Sequence, residues 1–424
     1  MDWSRSRTTL VGVVVGLGLV VVGAFAGRPD VAVLGAAPVV AGFWDWRRRP
    51  STDPAVHVEA STQIPVPGTL RVEAVVASPG PIALVGVRRG LRDVAEVLVA
   101  VDGSRRLPVT VHTVRTGPQE VAVVDAQGVG PGAASVSEPS EPSSRTALVL
   151  PAPRPLGDLP LPPRLRGLTG AHESRRPGEG GGLRDVHPYA PGDRLRRIDW
   201  RVTARRAPDL HELYVRREHA LAEAVVVLVV DSRDEVGPDP MTWRGSTAPR
   251  PQDPTSLDLA RQAAASVASG FLGQGDRVGL DDLGMVRRPL PPGGGRRQLS
   301  RIRHALALTH PEGEPLRRLR PPRIPSGALV WLFSTFLDDE AAVVATTWRR
   351  AGHRVVAVDV LPTLRDVHLA ERERLALRLL RIAREDRLAG LADQDVELVA
   401  WRDAPSVALA GLARRTQRRA GASR

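Results

Sequence analysis

The stretch AEAVVVLVVDS, residues 222–232, decides the fold. From Ala224 to Val230 every residue is apolar, and the run stops at Asp231. A strand with one wet face alternates polar and apolar side chains, whereas a strand covered by helices on both faces does not. The run therefore predicts a central parallel strand of an α/β sheet. Asp231 falls at its carboxyl end, where open α/β sheets place their ligands.

Toward the C-terminus, helical and extended patterns alternate. Residues 256–272 carry Leu257, Ala260, Ala264, Val267 and Phe271 on one helical face. A short strand begins at 277–280, a helix covers 298–308, and SGALVWLFS (326–334) repeats the buried-strand pattern. A helix at 338–350, a strand at 353–362, a helix at 366–385 and a strand at 396–401 complete the series. This alternation predicts a doubly wound α/β domain over 221–405. The segment ERERLALRLLRIARED (371–386) mixes charge signs and reads as a solvated helix face, not a nucleic-acid stripe. Residues 406–424 form a basic tail, of which RRTQRRAGASR (414–424) reads as disordered and able to touch anionic lipid.

The 424 residues suggest two or three domains. The chain has no cysteine, which excludes disulfides, thiol nucleophiles and thiolate metal sites. A net charge of +12 accompanies a composition rich in Arg, Ala, Gly and Val, so it is weak support for nucleic-acid binding.

Residues 157–220 read as a linker followed by a dense polar motif. GLTGAHESRRPGEGGG (167–182) lacks a hydrophobic period and the GxxxxGK[ST] phosphate loop, and reads as a flexible loop. HPYAPGDRLRRIDW (187–200) follows. Pro191-Gly192 signals a turn and Asp193 is placed to cap what comes next. Ile198, Trp200 and Val202 alternate, which suggests an extended stretch. Arg194, Arg196, Arg197 and Arg201 crowd against Asp193 and Asp199. Three readings stay open: an internally paired scaffold loop, which is favoured; a partner-binding surface; and a catalytic or metal site built on His187, Asp193 and Asp199. The spacing fits no zinc pattern, and the arginines oppose a cation. On the scaffold reading the segment joins the flanking domains, and removal of Asp199 leaves a buried arginine unpaired.

Upstream, β-branched runs at 70–78, 81–89, 96–102, 107–114 and 119–126 predict a β-rich, sandwich-like domain over 51–156, with an exposed loop at 130–145 and a last strand at 147–156. Residues 8–27 are free of charge and span roughly 30 Å as a helix, the thickness of a bilayer core. A second apolar run, 29–46, ends in Trp44, Trp46 and the triplet Arg47, Arg48 and Arg49. With Arg5 and Arg7 ahead of the first run, residues 1–50 read as a transmembrane hairpin with both ends in the cytoplasm. A single span or cleaved signal, and a pair of buried soluble helices, are the other readings.

The motif resembles that of the bacterial family of unknown function called DUF58, whose hallmark has the form reY-xpGD-xxRxIdW-xxxAR. Here it is Tyr189-Ala190-Pro191-Gly192-Asp193, then Arg197-Ile198-Asp199-Trp200, then Ala204-Arg205, with Glu218 matching a later glutamate. His187-Pro188 replaces the usual Arg-Glu. The resemblance implies a membrane-anchored multidomain chain: two membrane segments, a β-rich domain and a von Willebrand factor A-like α/β domain. It also implies association with a MoxR-type AAA+ ATPase. Domains of that type often hold Mg²⁺ through DxSxS, a threonine and a later aspartate. Here Asp231 matches, Arg233 and Glu235 take the serine positions, and Ser334-Thr335 replaces Ser-Asp. The expectation is a salt-bridge cluster without cofactor; the alternative is Mg²⁺ held by Asp231, Asp234 and Glu235. The expected function is a non-enzymatic adaptor or co-chaperone at the cell membrane, its bulk cytoplasmic. A scaffold for envelope processes and a metal-dependent hydrolase are the alternatives.

Overall fold

Both N-terminal apolar runs fold as helices. The computed structural model describes residues 3–61, 68–89, 93–167, 170–244, 249–285, 288–312, 321–367 and 369–422. A two-residue strand β1 (Ser4–Arg5) leads into α1 (Arg7–Phe25), capped by Ser6, whose side chain accepts from Thr9 N. The chain turns at Gly27, which has positive φ, and α2 (Pro29–Arg47) starts on a proline, the residue best suited to a first helical turn. The two helices approach closely because glycines line their contact. A Cβ on Gly16 would lie 2.7 Å from Gly35 O, and one on Gly35 2.5 Å from Gly16 O. Among the described residues α1 alone is long and apolar enough to cross a membrane. The second run expected to span, α2, has the same length but falls short in apolar content, with Asp30, Pro38 and Asp45 along it.

The chain folds into two compact units. The first takes 1–114, 118–148 and 250–252; the second takes 115–117, 149–249 and 253–424. Besides the helices, the first holds β2 (Ala55–Ala60), β3 (Thr69–Ala77), β4 (Ile82–Arg89), β5 (Asp93–Ala100), β6 (Ser104–His112), most of β7 (Gly117–Val129), β8 (Ser135–Val136) and most of β9 (Ser143–Val149). One sheet runs β2-β3-β6; the other runs β1-β8-β7-β4-β5, with β9 on β7. Val58, Val72, Ala74 and Val76 from the first meet Ala83, Val85, Val99, Val121 and Val124 from the second in one core, a sandwich arrangement. The segment expected as an exposed loop, 130–145, holds β8, which bridges β1 and β7. The last strand ends at Val149 because Pro151, Pro153 and Pro155 supply no backbone donors.

The second unit opens with a ribbon of β10 (His172–Pro188) and β11 (Tyr214–Ala222), with α3 (Trp200–Arg206) between them in sequence. Residues 172–182, expected to be a flexible loop, are therefore strand; 168–169 lie outside the described residues. The hydrophobic period is missing because the register shifts repeatedly along β10. Its glycines are packed: a Cβ on Gly178 would lie 2.2 Å from Ala220 Cβ.

Then follow β12 (Val225–Val230), α4 (Ser256–Gly273), β13 (Arg277–Asp282), β14 (Leu290–Gly293), α5 (Gly295–Ala307), β15 (Leu329–Ser334), α6 (Glu340–Arg350), β16 (Arg354–Asp359), α7 (Glu371–Asp393), β17 (Glu397–Ala400) and α8 (Pro405–Ala422). The sheet order is β14-β13-β12-β15-β16-β17, parallel apart from β14. Alternate residues of β12 face opposite layers. Val226, Leu228 and Val230 join Phe271, Ile302, Trp331 and Leu409, whereas Val225, Val227 and Val229 join Leu332, Ala345, Trp348 and Leu391. That two-sided burial is why the strand reads as unbroken aliphatic sequence.

The basic tail expected from 406 is instead mostly α8; 423–424 lie outside the described residues. Leu409, Leu412 and Ala413 are buried and Arg414 and Arg415 are exposed, so the helix has an apolar stripe. Leu409→Ala is expected to cost about 2–5 kcal/mol, as for other leucines in a packed interior. Val407→Ala, at an exposed position, should stay within about 0.5 kcal/mol. Denaturant unfolding of the two variants checks both.

Candidate functional site

Two regions of the second unit gather the residues singled out by sequence. The first is the motif segment. Pro191 and Gly192, the latter at φ +102°, form a turn in which Asp193 N donates to Ala190 O at 3.0 Å. The Asp193 carboxylate closes the same turn by accepting from Ala190 N at 3.0 Å, with His187 Nε2 and Arg217 Nη2 each 3.6 Å away. That backbone hydrogen bond, helped by His187 and Arg217, holds the Asp193 carboxyl below its ordinary range. Asp193 therefore fastens its own turn and caps no helix.

The helix cap is Asp199. Its Oδ1 accepts from Arg201 N and Val202 N at 3.1 and 3.0 Å, starting α3. Residues 195–197 form a short 3-10 turn, so the alternation of Ile198, Trp200 and Val202 marks a turn and a helix, not an extended stretch. The arginines converge on Glu179 of β10: Arg194 at 2.5 Å, Arg197 at 2.8 Å and Arg196 at 3.6 Å. Among the described residues the ion pair of Asp199 is with the half-exposed Arg216, at 3.9 Å. The expectation of a buried arginine depending on Asp199 is thus corrected, since a short acidic side chain beside free helix N–H groups becomes a cap. Tyr189 N donates to Leu213 O, Ile198 bridges Val215, and Glu218 accepts from Gly180 N. Ala204 and Arg205 lie on the exposed side of α3.

This polar frame leaves apolar side chains outside. Trp200 is 62% exposed, Leu195 66% and Tyr189 40%. The segment has the internal pairing of a scaffold and the outward composition of a binding surface.

The second region is the crest of the sheet between β12 and β15, where the strand order reverses. Arg233 has all five guanidinium N–H donors engaged. Nε and Nη2 bind Asp231 at 2.8 Å each, Nη1 and Nη2 bind Asp338 at 2.7 and 3.0 Å, and Nη1 reaches Glu340 at 3.1 Å. Burial alone would make Arg233 less basic, but Asp231 and Asp338 outweigh it and raise its pKa above the ordinary arginine value. Ser334 donates to Asp231 Oδ2 at 2.7 Å, and Thr335 donates to Asp234 Oδ2 at 2.9 Å. Burial first, and the charge of Asp231 second, push the Asp234 carboxyl up to about 7.

Glu235 turns away from this group. It accepts from Thr255 Oγ1 at 2.7 Å and Arg115 Nη2 at 2.6 Å. Asp231, Asp234 and Glu235 therefore do not converge, and the Mg²⁺ alternative built on them is corrected. These residues do not fit a divalent cation, because Arg233 already spans both oxygens of Asp231. Among the described residues no group of three or more His, Cys, Asp or Glu is arranged to hold a metal.

Sequence reasoning missed the outer support. Arg384 of α7, expected on a solvated face, is buried: its Nε donates to Thr335 O at 2.7 Å and its Nη2 lies 2.5 Å from Asp359 Oδ1. Arg387 donates to Phe336 O at 2.8 Å and pairs with Asp339. Phe336 is buried at φ +53°, a left-handed conformation that a bulky residue keeps only when held from several sides. Asp231 lies two residues from Arg233 and fits the expected salt-bridge cluster, but Asp338 and Glu340, more than a hundred residues away, left no local signal.

Asp199→Ala is expected to cost about 1 kcal/mol, up to about 2, and Asp199→Asn far less, since asparagine caps equally well. Thermal unfolding checks this. Asp234 binds its proton more tightly folded than unfolded, so its contribution to stability is greatest below pH 4, falls as pH rises toward about 7, and is flat above. Denaturant unfolding across pH 4–8 should show the native chain losing stability relative to Asp234→Asn as pH rises. A pH-independent difference would contradict that assignment.

Residues 185–378 match the family model described as "Protein of unknown function DUF58". No curated protein and no solved structure matches it.

Proposed function

We propose that this DUF58 protein is a membrane-anchored, non-enzymatic adaptor or assembly protein that acts with a MoxR-type AAA+ ATPase. The observation that carries the reading is the exposure of Trp200, Leu195 and Tyr189 on a segment whose backbone is fixed by Asp193, Asp199 and Glu179. Tryptophan, tyrosine and arginine are the residues that most often anchor protein interfaces, and a surface held rigid before binding loses less entropy on docking. The choice of ATPase rests on the family resemblance alone.

Anchoring through a hairpin is supported by the apolar side chains that α1 and α2 leave exposed, among them Val11, Val14, Val22, Val33, Leu34 and Phe43. At the end of the hairpin Arg47, Arg48 and Arg49 stack over Phe43, Trp44 and Trp46 at 5.3, 4.7 and 4.6 Å. Arginine over interfacial aromatics suits the headgroup level of a bilayer, and the positive-inside rule then puts the bulk of the chain in the cytoplasm. The reversal of strand order beside β12 and the helices on both sheet faces support a von Willebrand factor A-like second domain.

The hydrolase reading draws on the approach of His187 to Asp193. It is weaker, because the Asp193 and Asp199 carboxylates are engaged in a turn and a cap.

Capture of the full-length chain from its native membrane, with and without ATP, tests the proposal. An AAA+ ATPase should be enriched in one nucleotide state. Trp200→Ala should lower that enrichment roughly tenfold or more, as loss of an interface anchor does, with thermal unfolding unchanged. Reproducible capture of envelope enzymes without any ATPase would replace the adaptor with the scaffold.

A further inference from the structure

The edge strand β5 is more open to further pairing than the edges β6, β14 and β2. Among the described residues it pairs with β4 alone. Those three edges carry features that discourage further pairing. β6 has Arg105, Arg106 and Pro108, and β14 has Pro291 and Pro292. On β2, Val58 N is occupied by Ser143 Oγ at 3.2 Å. β5 reads DVAEVLVA, with no proline and no basic residue, and Glu96 is the one charge in its interior. Val94, Val97 and Leu98 are each more than half exposed. Leu98 faces Leu84, and Ala100 faces Ile82, on the sheet surface opposite the core, which extends the apolar patch.

The hydrogen-bond phase fixes which residues face outward. Val101 N donates to Pro81 O at 2.9 Å, so residue 101 points its main chain at the β4 side. Alternation along an antiparallel pair then directs the main-chain groups of Val94, Glu96, Leu98 and Ala100 to the open edge. Ala100 O already accepts from Arg105 Nη1 at 3.0 Å and keeps a second lone pair.

An antiparallel copy of β5 must match outward residues with outward residues. The register that sets Glu96 against Glu96 places like charges face to face. Moving by one step sets Glu96 against Leu98 of the second copy, Val94 against Ala100, and Val97 against Val97. All four outward residues are then used and no like charges meet. We propose that β5 is a self-association edge, joining two copies of this chain in that register into one continuous sheet.

The chain has no cysteine, so an introduced thiol reports on one position. Val97→Cys in the full-length protein, held in detergent micelles, should give a disulfide-linked dimer on mild oxidation. A non-hydrogen-bonded antiparallel pair brings Cβ atoms to about 4.5–5.5 Å, close to disulfide range. Glu96→Cys and Leu98→Cys should cross-link several-fold less, because neither faces itself. By light scattering, Val97→Arg should be monomeric with unchanged thermal unfolding. Leu98→Arg, which would face Glu96 of the second copy, should remain dimeric. Equal cross-linking at 96, 97 and 98, a native chain that is monomeric, or a monomer carrying a co-purified peptide would each overturn the proposal.

Discussion

The pairing of Arg233 with three carboxylates governs the crest of the second unit. A charge removed from water is tolerable only when its hydrogen-bonding capacity is met almost completely. Arg233 meets that condition through Asp231 at the end of β12 and through Asp338 and Glu340 around the start of α6. One guanidinium thus joins segments on both sides of the point where the strand order reverses. Ser334 donates to the same Asp231 carboxylate. Thr335, held by Asp234 on its side chain and by Arg384 on its carbonyl, positions the strained Phe336 that follows. A second rank of arginines on α7 then closes the arrangement from outside.

The motif segment applies the same physics at shorter range. Its carboxylates satisfy backbone donors in a turn and a helix start, and Glu179 gathers three arginines from the following loop. Local bonds hold the backbone, which frees Trp200 and Leu195 from any structural duty inside the fold. Rigidity and exposure coexist because different atoms supply them: polar groups near the main chain give the first, and apolar side-chain ends give the second.

The sheet was legible because burial writes itself into sequence. β12 is an unbroken apolar run, β15 and β16 are apolar over 329–333 and 355–358, and α4 shows its stripe of small and large apolar residues. β10 was hidden by bulges that reset the alternation, and α8 by arginines that outnumber the few leucines carrying its packing. In the site, the turn at Pro191 and Gly192 was readable from residue type. The cap was placed on Asp193 instead of Asp199, because both are short acids near helix starts and only backbone geometry separates a turn from a cap. Glu179, Asp338, Glu340 and Arg384 were invisible: a charge gives no hint of a partner that folding brings from far along the chain.

The guanidinium at the crest also differs in kind from a dissociable ion. A bound ion exchanges with solvent, so the state of its site follows ionic supply and can be emptied by a competitor. Arg233 is synthesised with the chain, one per molecule, and its residence time in the crest is set by the opening rate of the loop that carries it. The charge balance there is inherited instead of acquired, and the proton that Asp234 takes up or releases adjusts it.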